Sequence, residues 1–508
     1  MQRTKIHIDF LYQTLFLDCG QAYEAVPDAR QYSTIAAIPD KLGCVFTRVR
    51  NPILGLVLLL CAALPAPGAE HSALDRFIGA RDLSYKYELV RTIPGQAYTV
   101  YVLHLTSQKW RSAAEVNHPI WKHWLTIVKP ESVRGTTGFL FITGGSIADK
   151  APTRADPFMA KLAVDTNTVV SELRDVPNEP LTFTGEDHSR TEDGIIAYTW
   201  DKYLRTGDET WPLHLPMAKS AVKAMDAITS FMRRSHGTGA AVKQYVVAGA
   251  SKRGWTTWLT AAADKRVVAI IPLVIDVLNS EKNIDHQYRA YGFLSPALDD
   301  YVKMGLLNWA GTPQYQALMN IEDPYSYLDR LTVPKYIINA SGDQYFLPDS
   351  SQFYWNDLLG EKHLRYVPNA KHDLAGTDVP QSIEAFYGSV VKGTERPNLT
   401  WSFEADGSIR VKTATKPSEV KLWQATNPKA RDFRVDSIGH AYTSTPLKDQ
   451  GDGVYTAKVP DPPKGWTAFF IEMTYPMGGN AMKITTGVRV TPDVLPYGPA
   501  PKSPQSGL

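Results

Sequence analysis

The sequence predicts an α/β protein with a mainly parallel central sheet, a helical cap insertion and a C-terminal β-sandwich-like module. Three observations predict it. Apolar strand-like runs alternate with amphipathic helical stretches from about residue 85 to 393. One of those runs enters a Gly-x-Ser-x-x-Gly turn at Gly249. Beyond Pro397 the texture becomes short alternating runs divided by Asp-Gly, Pro-Pro and Asn-Pro turn signals.

The elements follow in chain order. Residues 1–47 have no clear periodicity and read as an extension of the gene model or as a disordered segment. Residues 48–69 read as a signal peptide: Arg48 and Arg50, an apolar run from Ile53 to Leu64, then Pro65-Ala66-Pro67-Gly68-Ala69. The run is short for a membrane span, and a buried helix is the alternative. A signal peptide belongs at the start of a chain, so translation is expected to begin just upstream of Arg48. The exported chain, periplasmic or secreted, is then expected to start near Glu70 and to keep no stable membrane span. Leu58-Leu59-Leu60-Cys61 is a poor lipoprotein site, because the residue before the cysteine should be small.

Residues 70–395 hold the α/β domain. Its strand-like runs are Phe139 to Ile142, Thr168 to Leu173, Lys243 to Ala248, Val267 to Ile275, Tyr336 to Asn339 and Leu364 to Val367. Helical patterns occupy Gly194 to Leu204, Met217 to Met232, Thr256 to Ala263 and Ser382 to Val391. Alternation of this kind implies crossover connections and a parallel sheet covered on both faces. Chemistry in such sheets sits at the carboxyl ends of the strands. Residues of about 278–330 form a long aromatic-rich insertion, either a cap over those strand ends or a subdomain that only packs. Residues 396–490 read as the β module, and 491–508, rich in Pro and Ser, as a loose tail.

Composition narrows the function classes. The 508 residues are 44% hydrophobic and 21% charged, with a net charge of +2, as in a soluble globular protein with a large core. No dense Lys/Arg block marks a nucleic-acid-binding face. Cys19, Cys44 and Cys61 are the three cysteines, so the chain beyond them has no disulfide, cysteine nucleophile or thiolate metal site. His118 and His123 are five apart and match no metal-ligand spacing, and there is no glycine-rich phosphate loop. No cofactor and no metal are assigned.

The chemistry-bearing residues lie at strand ends. Val246-Val247-Ala248-Gly249-Ala250-Ser251 runs straight into Lys252-Arg253-Gly254-Trp255 and a helix, the context of a nucleophile elbow. The tight turn crowds its neighbours, so small residues are needed, and the helix N-terminus points free N–H groups at the serine. Arg253 stands where the second glycine is usual, and Gly254 follows. Asp343 comes just after one strand-like run and His372 just after the next. Serine, acid, histidine is the chain order of α/β-hydrolases. Imidazole can take the serine proton near neutral pH, and a carboxylate fixes its tautomer and stabilises the imidazolium. Asp276 ends the run before the cap insertion and is the rival acid, whereas Asp349 reads as a loop-capping residue. The oxyanion hole is expected from the backbone N–H of Lys252 and from Gly144-Gly145-Ser146, with Gly145 and Ser146 as donors.

Several blocks together resemble the PhoPQ-activated pathogenicity-related family. They are Gly249 to Trp258, Glu172-Leu173-Arg174-Asp175-Val176-Pro177-Asn178-Glu179-Pro180, Arg190-Thr191-Glu192-Asp193, Trp121 to Thr126, and Ile275-Asp276-Val277-Leu278-Asn279. The resemblance spans residues of about 75–490. It implies an exported α/β-hydrolase-like protein. The family includes bacterial proteins tied to envelope stress and cationic peptide resistance, and secreted slime-mould proteins that restrain proliferation; it implies no settled substrate. Three functions stay open. One is a serine hydrolase cleaving an ester or amide in a small molecule, peptide or acylated glycan. Another is a secreted signalling or binding protein on the same scaffold. The third is a glucuronoyl-esterase-like carbohydrate esterase, in which Lys252 or Arg253 holds a sugar carboxylate.

Overall fold

The computed structural model describes residues 71–234 and 240–500. The expected gene-model extension, the signal peptide, all three cysteines and residues 501–508 lie outside the described residues. From Ser72 onward the described residues belong to one body.

Nine strands form the main sheet: β1 (Lys86–Gly95), β2 (Tyr98–Lys109), β3 (Ile120–Pro130), β4 (Thr137–Ile142), β5 (Val170–Leu173), β6 (Gln244–Ala250), β7 (Val267–Leu273), β8 (Lys335–Ala340) and β9 (Lys362–Val367). Their order is β1-β2-β3-β5-β4-β6-β7-β8-β9. The β1-β2, β2-β3 and β3-β5 pairs are antiparallel, and every pair from β5 to β9 is parallel. The six runs read from the sequence are β4 to β9. The antiparallel β1 to β3 were not read, because β1 is largely exposed while most of β2 and β3 is buried, so none shows a clean period of two.

Alternate residues of each strand feed opposite cores. Leu140, Tyr245, Val247, Ile270 and Ile337 point to one face. Phe139, Val246, Ala248, Ile271 and Ile338 point to the other. The helices of the α/β domain are α1 (Ala73–Gly79), α2 (Pro157–Thr166), α3 (Asp193–Thr206), α4 (His214–Arg234), α5 (Lys252–Ala263), α6 (Ser280–Tyr291), α7 (Asp299–Lys303), α8 (Pro313–Glu322) and α9 (Val379–Lys392). The core on the first face includes Ile196 of α3, Met225 of α4 and Trp258 of α5. The second includes Leu162 of α2 and Phe386 of α9. A parallel sheet buried on both faces, with a serine at the β6–α5 turn, is the α/β-hydrolase fold. Helices α6, α7 and α8 lie between β7 and β8, where the sequence has its aromatic-rich insertion.

The C-terminal module is two antiparallel sheets. β10 (Leu399–Phe403), β11 (Ile409–Thr413) and β14 (Val454–Ala457) form one, in the order β10-β11-β14. β12 (Glu419–Asn427), β13 (Thr443–Pro446), β15 (Trp466–Met477), β16 (Asn480–Thr485) and β17 (Arg489–Thr491) form the other. β15 is buried on both faces: Phe469 and Ile471 join one core, Ala468 and Phe470 the other. Its near-continuous apolar run follows from that double burial. The module also seals the edge of the main sheet, where the Tyr366 N–H of β9 donates to Thr485 Oγ1 at 2.9 Å. An open edge strand is thereby covered.

The tail is corrected in part. Residues 491–497 are not loose: Tyr497 N–H donates to Arg289 O at 3.0 Å, and Trp466 Nε1 to Val494 O at 3.0 Å. Leu495 packs on Ala290, Tyr291 and Leu347. These contacts with α6, with Trp466 of β15 and with Leu347 outweigh the Pro-rich composition.

Because the second core is shared, a chain ending at Glu395 is expected to lose cooperative folding. Soluble yield and thermal melting by circular dichroism measure this. A monomeric fragment that melts cooperatively near the full-length temperature would show the shared core to be dispensable.

Candidate active site

Ser251 sits at the β6–α5 turn with φ 57° and ψ −129°, a backbone region that L-residues rarely occupy and that costs about 1–3 kcal/mol. Its surroundings hold it there. Ser251 N–H donates to Leu273 O of β7 at 2.9 Å, and Ser251 O accepts from Trp255 N–H at 3.0 Å. Both motif glycines are required by close approach. A Cβ on Gly249 would lie 2.5 Å from Arg253 O, and one on Gly254 would lie 2.8 Å from Ile275 Cγ2 and 2.9 Å from Gly249 O. The second glycine therefore belongs at 254, where α5 crosses the ends of β6 and β7, and position 253 is left for a long side chain.

Asp343 and His372 follow β8 and β9. His372 Nδ1 donates to Asp343 Oδ2 at 2.8 Å and lies 3.0 Å from Oδ1. Since a carboxylate only accepts, Nδ1 carries the proton. Asp343 is anchored in turn by the Tyr345 N–H at 2.7 Å, and the His372 N–H donates to Gln344 Oε1 at 3.0 Å. His372 Nε2 is buried and makes no hydrogen bond, to Ser251 or to any other described group. Such bonds often tighten only when substrate binds. The Tyr345 ring lies 4.4 Å from the imidazole, centroid to centroid.

The rival acid goes elsewhere. Asp276 is buried, and its two oxygens accept from Tyr354 and Tyr366 hydroxyls at 2.5 Å each. Burial, with the nearby Asp343 and Asp349 charges, pushes its carboxyl up to about 7. Asp349 is not a loop cap: its side chain caps nothing. It accepts from Arg431 Nη2 at 2.6 Å and His286 Nε2 at 3.0 Å. Burial opposes its ionisation, but those two partners outweigh burial and hold it well below the usual carboxylate range.

The Gly144–Ser146 loop offers one expected donor rather than two. Ser146 N–H is already given to Asp149 Oδ2 at 3.2 Å. Gly145 has φ 147°, and a Cβ there would fall 2.1 Å from Asp175 Oδ1, so only glycine fits. Its N–H has no acceptor among the described residues. Lys252 N–H opens α5, where helix N–H groups lack intrahelical partners.

A charge cluster beside the elbow escaped the sequence reading. The buried Arg253 grips Glu192 with two bonds of 2.8 Å and gives Nε to Val176 O. Lys252 Nζ lies 2.7 Å from Glu192 and 3.2 Å from Asp193. Tyr301 of the cap donates to Asp193 at 3.0 Å. The Glu192 N–H donates to Glu179 at 2.6 Å. Burial and the Glu192 charge push Glu179 up to about 8. Both cations are thus neutralised from within, which removes the free charge that holding a sugar carboxylate at Lys252 or Arg253 needs. The signal was present as two separate blocks, Arg190 to Asp193 and Gly249 to Trp258, but nothing in the sequence paired them.

Ser251 and Lys252 form part of the wall of a cavity. The insertion supplies the facing wall through residues such as Ile284, Leu298, Tyr301 and Leu307, so it is a cap and not only a packing subdomain. Tyr345 lines the same cavity and also contacts His372.

The sequence profile of the PhoPQ-activated pathogenicity-related protein family matches residues 74–434. Autocrine proliferation repressor protein A of Dictyostelium discoideum is 37% identical over 473 residues, covering 87% of this chain and 95% of that protein. Among solved structures, the acetyl xylan esterase from Paenibacillus sp. R4 aligns with a TM-score of 0.45 and 13% identity, over 66% of this chain and 99% of that one. A glucuronoyl esterase from Solibacter usitatus aligns with a TM-score of 0.37 and 14% identity, over 62% and 88%.

The raised Asp276 carboxyl has a consequence for stability. An unfolded aspartate titrates near about pH 4, so between there and about 7 the folded protein holds a proton that the unfolded chain gives up. That contribution is complete below the unfolded value and is lost as pH rises through the folded one. Urea midpoints of the native protein, relative to Asp276→Asn, are expected to fall from pH 4 to 7 and then level off. Parallel profiles would mean the carboxyl titrates normally.

Proposed function

This chain belongs to the PhoPQ-activated pathogenicity-related family, and on that footing we propose that it is an exported serine hydrolase cleaving an ester or amide through an acyl-enzyme at Ser251. The observation that carries the proposal is the state of His372: Asp343 holds its Nδ1 proton while Nε2 stays buried and unbonded. An imidazole so held is a base awaiting a proton.

The chemistry follows from the geometry. As Ser251 Oγ attacks the carbonyl carbon, its proton passes to His372 Nε2, and Asp343 offsets the charge of the imidazolium. The negative charge gathering on the carbonyl oxygen meets the N–H groups of Lys252 and Gly145. The imidazolium then gives its proton to the leaving group, and the bond from carbonyl carbon to leaving atom breaks. Water repeats the sequence on the acyl-enzyme, with His372 again as base. Glu192 and Asp193 compensate Lys252 and Arg253, so neither side chain has to leave its partners during the cycle.

Export is part of the proposal. Its support is the Arg48 to Ala69 pattern. A link to envelope stress or cationic peptide resistance is also part of the proposal and rests on the family resemblance, the family being described as PhoPQ-activated and pathogenicity-related. The relative's description as an autocrine proliferation repressor favours an alternative, a signalling protein on a hydrolase scaffold.

Ser251→Ala is expected to abolish fluorophosphonate labelling and turnover with the fold intact by circular dichroism. Asp343→Asn should lower kcat by orders of magnitude, about 10⁴-fold in the best-studied triad, and Asp276→Asn by much less. Undiminished turnover in Ser251→Ala would overturn the assignment, and the reverse order of the two aspartates would move the acid to Asp276. Signalling retained in full by Ser251→Ala would favour the alternative. N-terminal sequencing of secreted material should begin near Glu70; a mature chain retaining residues 1–45 would refute the export signal.

A further inference from the structure

The cavity beside Ser251 has a chemistry of its own. Its walls are dominated by aliphatic and aromatic side chains, with Ile196, Trp200 and Trp255 on the sheet side and Ile284, Leu298 and Leu307 on the cap side. Among the polar groups, Asp193, Lys252, Ser280, Gln287 and Tyr301 are bonded to the protein, while Asn283 Oδ1 is buried without a partner. Gln287 gives Nε2 to Tyr345 O at 2.8 Å and takes Ser295 N–H on Oε1 at 2.8 Å. Ser280 gives both its N–H and its hydroxyl to Asp323, at 2.8 and 3.0 Å. Lys252 and Asp193 are paired with each other and with their neighbours.

A wall of this kind discriminates. The hydroxyls of a sugar ring or the amides of a peptide would leave water and find few free partners here. A hydrocarbon chain loses nothing on entry and gains about fourfold in binding for each methylene buried.

We propose that the chamber holds a medium-chain acyl group, so that the substrate is a lipid-like ester or amide. This rests on the assignment of Ser251 as nucleophile. The chain lies between α3, the start of α5 and the cap, and the carbonyl carbon sits at the nucleophile. In the reaction the Ser251 Oγ–acyl bond forms as the bond from carbonyl carbon to leaving group breaks, and the leaving group departs with the proton held by His372. Water then adds to the acyl-enzyme, releasing the fatty acid and restoring the serine hydroxyl. The cap is what makes the chamber chain-sized: without Ile284, Leu298 and Leu307 the chain would lie in water.

The test compares p-nitrophenyl acetate, butyrate and octanoate. kcat/KM is expected to rise along the series, by about 100-fold or more from acetate to octanoate. Ile284→Trp, which fills the chamber, is expected to lower the octanoate-to-acetate ratio at least tenfold. A second measurement does not need turnover: butyric, octanoic and dodecanoic acids are titrated into Ser251→Ala and followed by calorimetry. Affinity should rise from butyric to octanoic acid and fall away in Ser251→Ala carrying Ile284→Trp. Absence of turnover and of fluorophosphonate labelling would sink the hydrolase assignment alone. Equal rates on acetate and octanoate, or fatty-acid binding without chain-length dependence, would overturn the chamber assignment whatever the fate of the other.

Discussion

The β6–α5 junction is packed so closely that Ser251 has no alternative to its strained backbone. Two strands and a helix meet there within van der Waals contact of one another, and glycines at 249 and 254 are what allow it. The strain is offset by the parallel sheet: β6 is flanked by β4 and β7 and buried on both faces, so the turn has nothing to relax into. Everything else at the site is arranged around that fixed point.

The same junction organises charge. A strand-to-helix turn that exposes a serine also brings the first two side chains of the helix, Lys252 and Arg253, into the interior. Buried cations need partners, and the chain supplies them from Glu192 and Asp193 at the start of α3. Glu192 itself has φ 54° and ψ −128°, close to the values at Ser251, so one strained turn is tied to another through bidentate ion pairing. The cluster fixes the segment from Val176 to Asp193 against the elbow and joins it to the cap through Tyr301.

The C-terminal module has a comparable relation to the loops that follow β8 and β9. Val435 N–H donates to Gly342 O at 3.0 Å, next to Asp343. Asn369, just before His372, exchanges two hydrogen bonds of 2.9 Å with the backbone of Tyr442. Lys371 pairs with Asp436, and Asp349 is held by Arg431. The loops that carry Asp343 and His372 are therefore braced from outside the sheet, which locks their geometry more firmly than loop residues alone could.

What the sequence by itself determined are the features written in local pattern. Strand-to-helix alternation, the elbow motif and the order Ser251, Asp343, His372 are all legible because periodicity and spacing carry them. The family blocks were legible too, but as separate strings. Only the tertiary structure decided what depends on contacts between distant segments. It directed the two oxygens of Asp276 to Tyr354 and Tyr366, took Ser146 N–H for Asp149, and closed the Lys252–Arg253 charges onto Glu192 and Asp193. It also turned the aromatic-rich insertion into the wall of a chamber and pinned residues 491–497 to it and to Trp466 of β15. The physical reason is the same in each case. Hydrogen bonds and ion pairs are satisfied by whichever group the fold brings within about 3 Å, and no local pattern records which group that is.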